Sequence, residues 1–148
     1  MSRNGWNLYA YPLFDEQYDR LLKKVEAAKK ADPVNYESSP ACKLLATVER
    51  FIQDIIPRDP SAPQFRQGNT LGARNRHWFR AKFHQRYRLF FRFSAKDKII
   101  VYAWMNDENT LRKHGSKNDP YAMFEAMLKS GNPPGSLQQL ISASRNIR

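Results

Sequence analysis

Between Arg58 and Arg92 the chain carries nine basic side chains (Arg58, Arg66, Arg74, Arg76, Arg80, Lys82, Arg86, Arg88 and Arg92) against a single acidic one, Asp59. Eight of the nine are arginines, whose planar fork fits phosphate oxygens and stacks on nucleobases. In Trp78-Phe79-Arg80-Ala81-Lys82-Phe83 the residues alternate with period two, which sets Phe79, Ala81 and Phe83 on one strand face and Trp78, Arg80 and Lys82 on the other. From Tyr87 to Phe93 the same alternation separates Tyr87, Leu89, Phe91 and Phe93 from Arg88, Phe90 and Arg92. Stacked cations on adjacent strands cost stability unless an anion lies against them. The anion they suit is a phosphodiester, whose transition state gathers negative charge that preorganised cations stabilise by a few kcal/mol each. In RNA the 2′-hydroxyl is itself a nucleophile, so a protein need only align it with the scissile bond and move two protons. A face that docks nucleic acid, or an acidic protein, without cutting anything has the same composition.

Other chemistries find less support. His77, His84 and His114 lack ligand-like spacing, and with one cysteine no metal site is expected. Asp107 and Glu108 are adjacent, a poor arrangement for sharing Mg²⁺. Cys42 falls on the apolar side of a predicted helix and reads as a small buried hydrophobe. Gly68-Asn69-Thr70-Leu71-Gly72 lacks the Lys-Ser/Thr ending of a phosphate-binding loop. No cofactor is implied. Tyr121, just past Pro120, reads either as a core aromatic or as a phenol projecting to the sheet as base or stacking platform, and Trp104 divides similarly.

The whole-chain totals set the frame for these residues. The 148 residues suit one domain, 1–148, large enough for a core of its own. Lys and Arg number 25 against 14 acidic residues, a net charge of +11 that attracts polyanions. A single cysteine fits a reducing compartment, and neither a leader peptide nor a membrane-spanning run is visible, so a cytoplasmic location with no membrane contact is expected.

Elements to hold the basic strands follow from periodicity. Phe14, Tyr18, Leu21, Leu22, Val25 and Ala28 recur at helical spacing, predicting an amphipathic helix over 13–30 that Asp32-Pro33 ends. A second helix begins at Ser39-Pro40, with Ser39 as N-cap, carries Cys42, Leu45, Val48 and Ile52, and stops at Pro57. Residues 57–76 read as a loop with one short element near Phe65. Two basic strands, a turn at Ser94–Lys98 and a strand over Ile99–Met105 make an antiparallel meander. Pro120 starts a helix with Tyr121, Phe124, Met127 and Leu128 on one stripe, stopped by Gly131–Gly135; beyond it only a short apolar patch at Leu137, Leu140 and Ile141 is left. The expected fold class is α+β: two N-terminal helices on one face of an antiparallel meander, then a C-terminal helix, with Arg80, Lys82 and Arg88 on the opposite, open face.

Several runs carry a resemblance. Gly5-Trp6-Asn7-Leu8-Tyr9-Ala10, Arg86-Tyr87-Arg88-Leu89-Phe90-Phe91-Arg92-Phe93, Trp104-Met105-Asn106-Asp107-Glu108-Asn109-Thr110-Leu111-Arg112, Asp119-Pro120-Tyr121 and Met127-Leu128-Lys129-Ser130-Gly131-Asn132-Pro133-Pro134 closely resemble the YhaV toxin family, over nearly the whole chain. The resemblance implies the toxin half of a type II toxin–antitoxin pair with a PrlF-like antitoxin, and a RelE-like fold. That superfamily's toxins cleave mRNA, many of them on the ribosome, and stop translation. Carried over by position, Arg88 contacts the scissile phosphate, Arg80 and Lys82 are the basic residues of the preceding strand, Arg112 a further catalytic arginine, and Tyr121 the C-terminal aromatic base. His114, in the long segment from Asn109 to Asp119, is the alternative base. Arg74, Arg76, Arg86 and Arg92 become flanking RNA-binding residues. The functions left in competition are metal-independent endoribonuclease, steric blocker of the ribosome, and gyrase poison, the last disfavoured by the full set of arginines. An acidic antitoxin segment is expected to cover the Arg80–Arg88 face.

Overall fold

A computed structural model of the protein describes residues 1–106 and 119–148. Its elements run β1 (Ser2–Arg3), β2 (Trp6–Ala10), α1 (Pro12–Ala31), α2 (Pro40–Arg50), a π-helical turn (Phe51–Ile55), α3 (Ile56–Arg58), β3 (Phe79–Phe83), β4 (Tyr87–Ser94), β5 (Ile99–Met105), α4 (Pro120–Lys129), α5 (Leu137–Ala143) and β6 (Arg145–Asn146). The α+β class holds, and so does the antiparallel pairing of β3, β4 and β5.

The sheet itself is larger and mixed. Its order is β1-β2-β5-β4-β3, with β6 also on β2, and β2 lies parallel to β5. The alternation of Trp6, Leu8 and Ala10, all buried, makes β2 a strand despite its five residues. Because β2 takes the free side of β5, Ile99–Met105 is central and buried on both faces, which explains its unbroken apolar run.

Helices cover both faces, which corrects the expectation of one covered and one open face. On the first, α1 and α2 bring Phe14, Leu21, Leu45 and Val48 against Leu8, Leu89, Phe91, Ile100 and Tyr102. On the second, α4 and α5 bring Phe124 and Leu140 against Phe90, Val101, Ala103 and Trp104. The C-terminal patch of Leu137, Leu140 and Ile141 is thus a second C-terminal helix, capped by Ser136 through Gln139 N (3.3 Å). The arginines on this face lie at the margin of an aromatic layer instead of across an open surface.

Ser39 caps α2 as expected, accepting from Cys42 N at 3.2 Å. The helical path does not stop at Pro57, however. A π turn precedes the proline and α3 continues to Arg58. Proline in a helix removes a donor and crowds the carbonyl four residues back, and a widened turn relieves that crowding. Tyr102, fully buried in β5, donates to the Ile52 carbonyl inside this turn at 2.7 Å. The expected short element near Phe65 is a 3-10 turn, Pro63–Phe65. No helix among the described residues is long and apolar enough to cross a membrane.

Candidate active site

The strands place Arg80 and Arg88 on the same face by their parity. Lys82 pairs across from Arg88 and Arg80 across from Phe90, so the two arginines are diagonal neighbours. Over them comes Tyr121, from the first turn of α4. Its hydroxyl oxygen accepts from Arg80 Nε at 2.9 Å and from Arg88 Nε at 3.1 Å. Two guanidinium donors converging on one phenol oxygen direct its proton away from both.

Tyr121 is held there by three features. Asp119, buried at the N-cap of α4, accepts from Tyr121 N at 2.8 Å, the usual side-chain capping bond. One helical turn on, Phe124 lies parallel to Phe90 (4.3 Å) and Trp104 (5.7 Å) and nearly perpendicular to Trp78 (5.0 Å). Residues three apart share a helix face, so the stack that anchors Phe124 also aims Tyr121 at the arginines. The tyrosine ring itself meets Phe90 edge to face at 5.7 Å.

The arginines are fixed from behind. Arg80 is only 8% exposed and its Nη1 donates to the carbonyls of Gln64 (3.0 Å) and Arg66 (2.9 Å). Arg88 Nη1 donates to the carbonyls of Gln85 (3.0 Å) and Tyr87 (2.9 Å). Among the described residues none of these acceptors is a carboxylate, so the two charges are solvated by dipoles without being neutralised. Neighbouring cations held this way form an anion site at the moment of use, with little reorganisation left to do.

Asn106, which sequence reasoning left without a role, secures the start of β4. It is fully buried; its Oδ1 accepts from Arg88 N at 2.6 Å and its Nδ2 donates to Arg86 O at 3.0 Å. Gln17 does the same for the end of β5, donating to Met105 O (2.6 Å) and accepting from Met105 N (3.1 Å). Gln17 had a faint signal, a polar residue three positions after Phe14 on the apolar stripe of α1; Asn106 had none. Asp119 before Pro120 is an N-cap signature legible in the sequence.

The other expected site residues scatter. Lys82 is exposed beside Arg88. Arg86 is exposed at the β3–β4 turn, where His84 and Gln85 both take positive φ (48° and 63°), and His84 Nε2 lies 2.8 Å from Thr47 Oγ1. Arg74 and Arg76 are exposed on a loop that buried Gln67 organises, accepting from Leu71 N (3.2 Å) and donating to Asn75 O (2.8 Å). Arg92 is drawn inward: it donates to Gly135 O (2.8 Å), its guanidinium sits 5.5 Å from the Trp78 ring centroid, and burial pulls its pKa below the usual arginine value. Burial, then the charge of Arg92, likewise lowers the pKa of His77. Arg112 and His114 lie outside the described residues. No cluster of three metal-ligating side chains occurs among the described residues.

Two arginines that meet no carboxylate among the described residues and converge on one phenol make an anion-binding arrangement on an α+β fold. A family model described as a toxin with endonuclease activity, of a toxin–antitoxin system, matches residues 8–145. Over 139 residues the chain is 52% identical to the ribonuclease toxin YhaV of Escherichia coli strain K12 and to the toxin YhaV of Escherichia coli O6:H1, covering 93% of this chain and 90% of each relative. The chain belongs to the YhaV toxin family, the endonuclease toxins of toxin–antitoxin systems. No solved structure matches it.

Proposed function

We propose that this chain is a metal-independent endoribonuclease of the RelE-like kind, the cytoplasmic toxin of a type II pair, cutting mRNA on the ribosome and so stopping translation. The observation that carries the reading is the hydroxyl of Tyr121 held between the Nε atoms of Arg80 and Arg88. A scissile phosphate set against this group meets two guanidinium charges and one oxygen able to take part in proton transfer. The 2′-oxygen attacks phosphorus, the bond to the 5′-oxygen breaks, and a 2′,3′-cyclic phosphate and a 5′-hydroxyl result. The proton of the 2′-hydroxyl goes to the base, and a second proton, drawn from solvent, reaches the leaving 5′-oxygen. Tyr121 is the base in this reading and His114 the alternative; Lys82 and Arg112 share the developing charge, and Arg74, Arg76, Arg86 and Arg92 serve the flanking RNA. The ribonuclease name of the strain K12 relative supports RNA as substrate. Neutralisation follows from charge: an acidic segment of a PrlF-like antitoxin fits against Arg80 and Arg88.

The test is cleavage of RNA by purified protein with chelator present, with and without ribosomes. Products ending in cyclic phosphate are expected, and Arg88→Ala should slow cleavage by roughly 10²–10³-fold, the usual cost of one oxyanion donor. Binding without cleavage would replace this reading with a steric blocker. Chelator-sensitive cleavage would end the metal-independent mechanism.

A further inference from the structure

We propose that Tyr11 and Arg92 are positioning residues: from the sheet they pin the loop between α4 and α5, and through α4 they keep the Tyr121 hydroxyl on Arg80 and Arg88. The proposal rests on the ribonuclease reading above and gives Arg92 a task that its charge alone does not perform. Tyr11, buried just past β2 and tied to β5 through Tyr102 O (2.9 Å), donates its hydroxyl proton to Asn132 Oδ1 at 2.6 Å. Arg92, on β4, donates from Nη1 to Gly135 O at 2.8 Å. The loop is folded back on the helix, with Gly131 N donating to Leu128 O and Asn132 N to Met127 O, each at 3.1 Å. Loop and last turn of α4 are therefore one piece, fastened to the sheet at two points.

The helix carries that fastening to its other end. Phe124, fully buried in the stack with Phe90 and Trp104, is the point about which α4 can tilt. Met127 and Leu128, nearer the loop, are only partly buried, so packing holds that end less firmly. At the helical rise, Tyr121 lies about 4.5 Å along the axis on one side of Phe124 and Lys129 about 7.5 Å on the other. A displacement at the pinned end thus reaches Tyr121 reversed and at roughly 0.6 of its size. Site geometries tolerate errors of about 0.5 Å, so freeing the loop is enough to lift the phenol from two bonds of 2.9 and 3.1 Å.

Arginine suits the β4 anchor better than a point charge does. The Arg92 guanidinium lies 5.5 Å from the Trp78 ring centroid, so the group is clasped between a sheet aromatic and the loop carbonyl. A planar fork serves both contacts at once, whereas a lysine ammonium keeps the charge and loses the stacking plane. Arg92 is four residues from Arg88 along β4, about 13 Å of strand. With its guanidinium turned to Gly135, it acts on the cut through α4.

The experiment reads turnover and geometry separately. Tyr11→Phe, which removes one hydroxyl, and Arg92→Lys should each lower kcat on RNA roughly tenfold with KM little changed, less than the ~10²-fold cost of a misplacement of about 1 Å. Val48→Ala destabilises the chain from the other face and should keep its kcat at a temperature where it is folded. Independently of cleavage, the Nε–H NMR signals of Arg80 and Arg88, assigned with Arg80→Lys and Arg88→Lys, report on the phenol. In both anchor variants they should move toward their positions in Tyr121→Phe. Wild-type kcat in the anchor variants, or a rise in KM alone for Arg92→Lys, would overturn the anchor and leave Arg92 an RNA contact. So would Nε–H signals that stay where they are in the wild type, or an equal loss of kcat in Val48→Ala. A wild type that cleaves no RNA defeats the ribonuclease reading, while the NMR signals still decide whether the loop sets the phenol.

Discussion

The two faces of the sheet are built from the same strands and do different work. Under α1 and α2, Leu89, Phe91, Ile100 and Tyr102 meet Phe14, Leu45, Val48 and Ile52 in a layer of apolar contacts whose one buried hydroxyl, on Tyr102, is satisfied by Ile52 O. Under α4 and α5, strand positions of the other parity alternate aromatic and cationic: Phe90 between Arg88 and Arg92 on β4, facing Arg80 on β3. There the aromatic stack of Phe90, Trp104 and Phe124 is a mount, and the arginines at its margin are what it mounts Tyr121 against. The difference teaches that burial stabilises both faces, but only on the second does it also set the geometry of the proposed site.

Truncating matched aromatics tests this most strongly. Phe14→Ala and Phe124→Ala should each cost about 3–5 kcal/mol, read by denaturant unfolding. At a temperature where both variants are still folded, Phe14→Ala should keep its cleavage rate, whereas Phe124→Ala should lose most of it because Tyr121 drifts from the arginines. Equal residual activities would erase the distinction between the faces.

Asn106→Ala removes the side-chain partner of Arg88 N and Arg86 O and should cost about 1 kcal/mol for each part-buried hydrogen bond lost. Since it positions Arg88 without touching the phosphate, kcat should fall more than KM rises; a pure stability loss with unchanged kinetics would make it structural only.

The smallest effect lies with His77. Its folded pKa is below the ordinary 6.5, so below that pH the unfolded chain binds the proton more readily than the folded one. Stability should therefore decline as pH falls from about 7 toward 5, and His77→Gln should flatten part of that slope in thermal melts. A steeper slope in the variant would reverse the direction of the shift that burial, and after it Arg92's charge, gives His77.

The sequence determined the strand parities, and with them which side chains of β3 and β4 could ever share a face. It determined the start of α2 at Ser39-Pro40 and of α4 at Pro120, because caps and proline act through neighbouring backbone groups. The family, too, was legible in contiguous runs such as Trp104–Arg112. It did not show that β2 joins β5 in parallel, since that pairing spans more than ninety residues and its five-residue pattern is weak alone. Nor did it show α4 and α5 closing the second face, which turned an expected open field of cations into a buried Arg80 beside a half-buried Arg88. Tertiary structure alone decided that Arg80 and Arg88 meet on Tyr121 while Arg92, of the same parity, turns to Gly135 and the Trp78 ring. Alternation fixes which face a side chain takes; only the packing of distant helices decides what waits for it there.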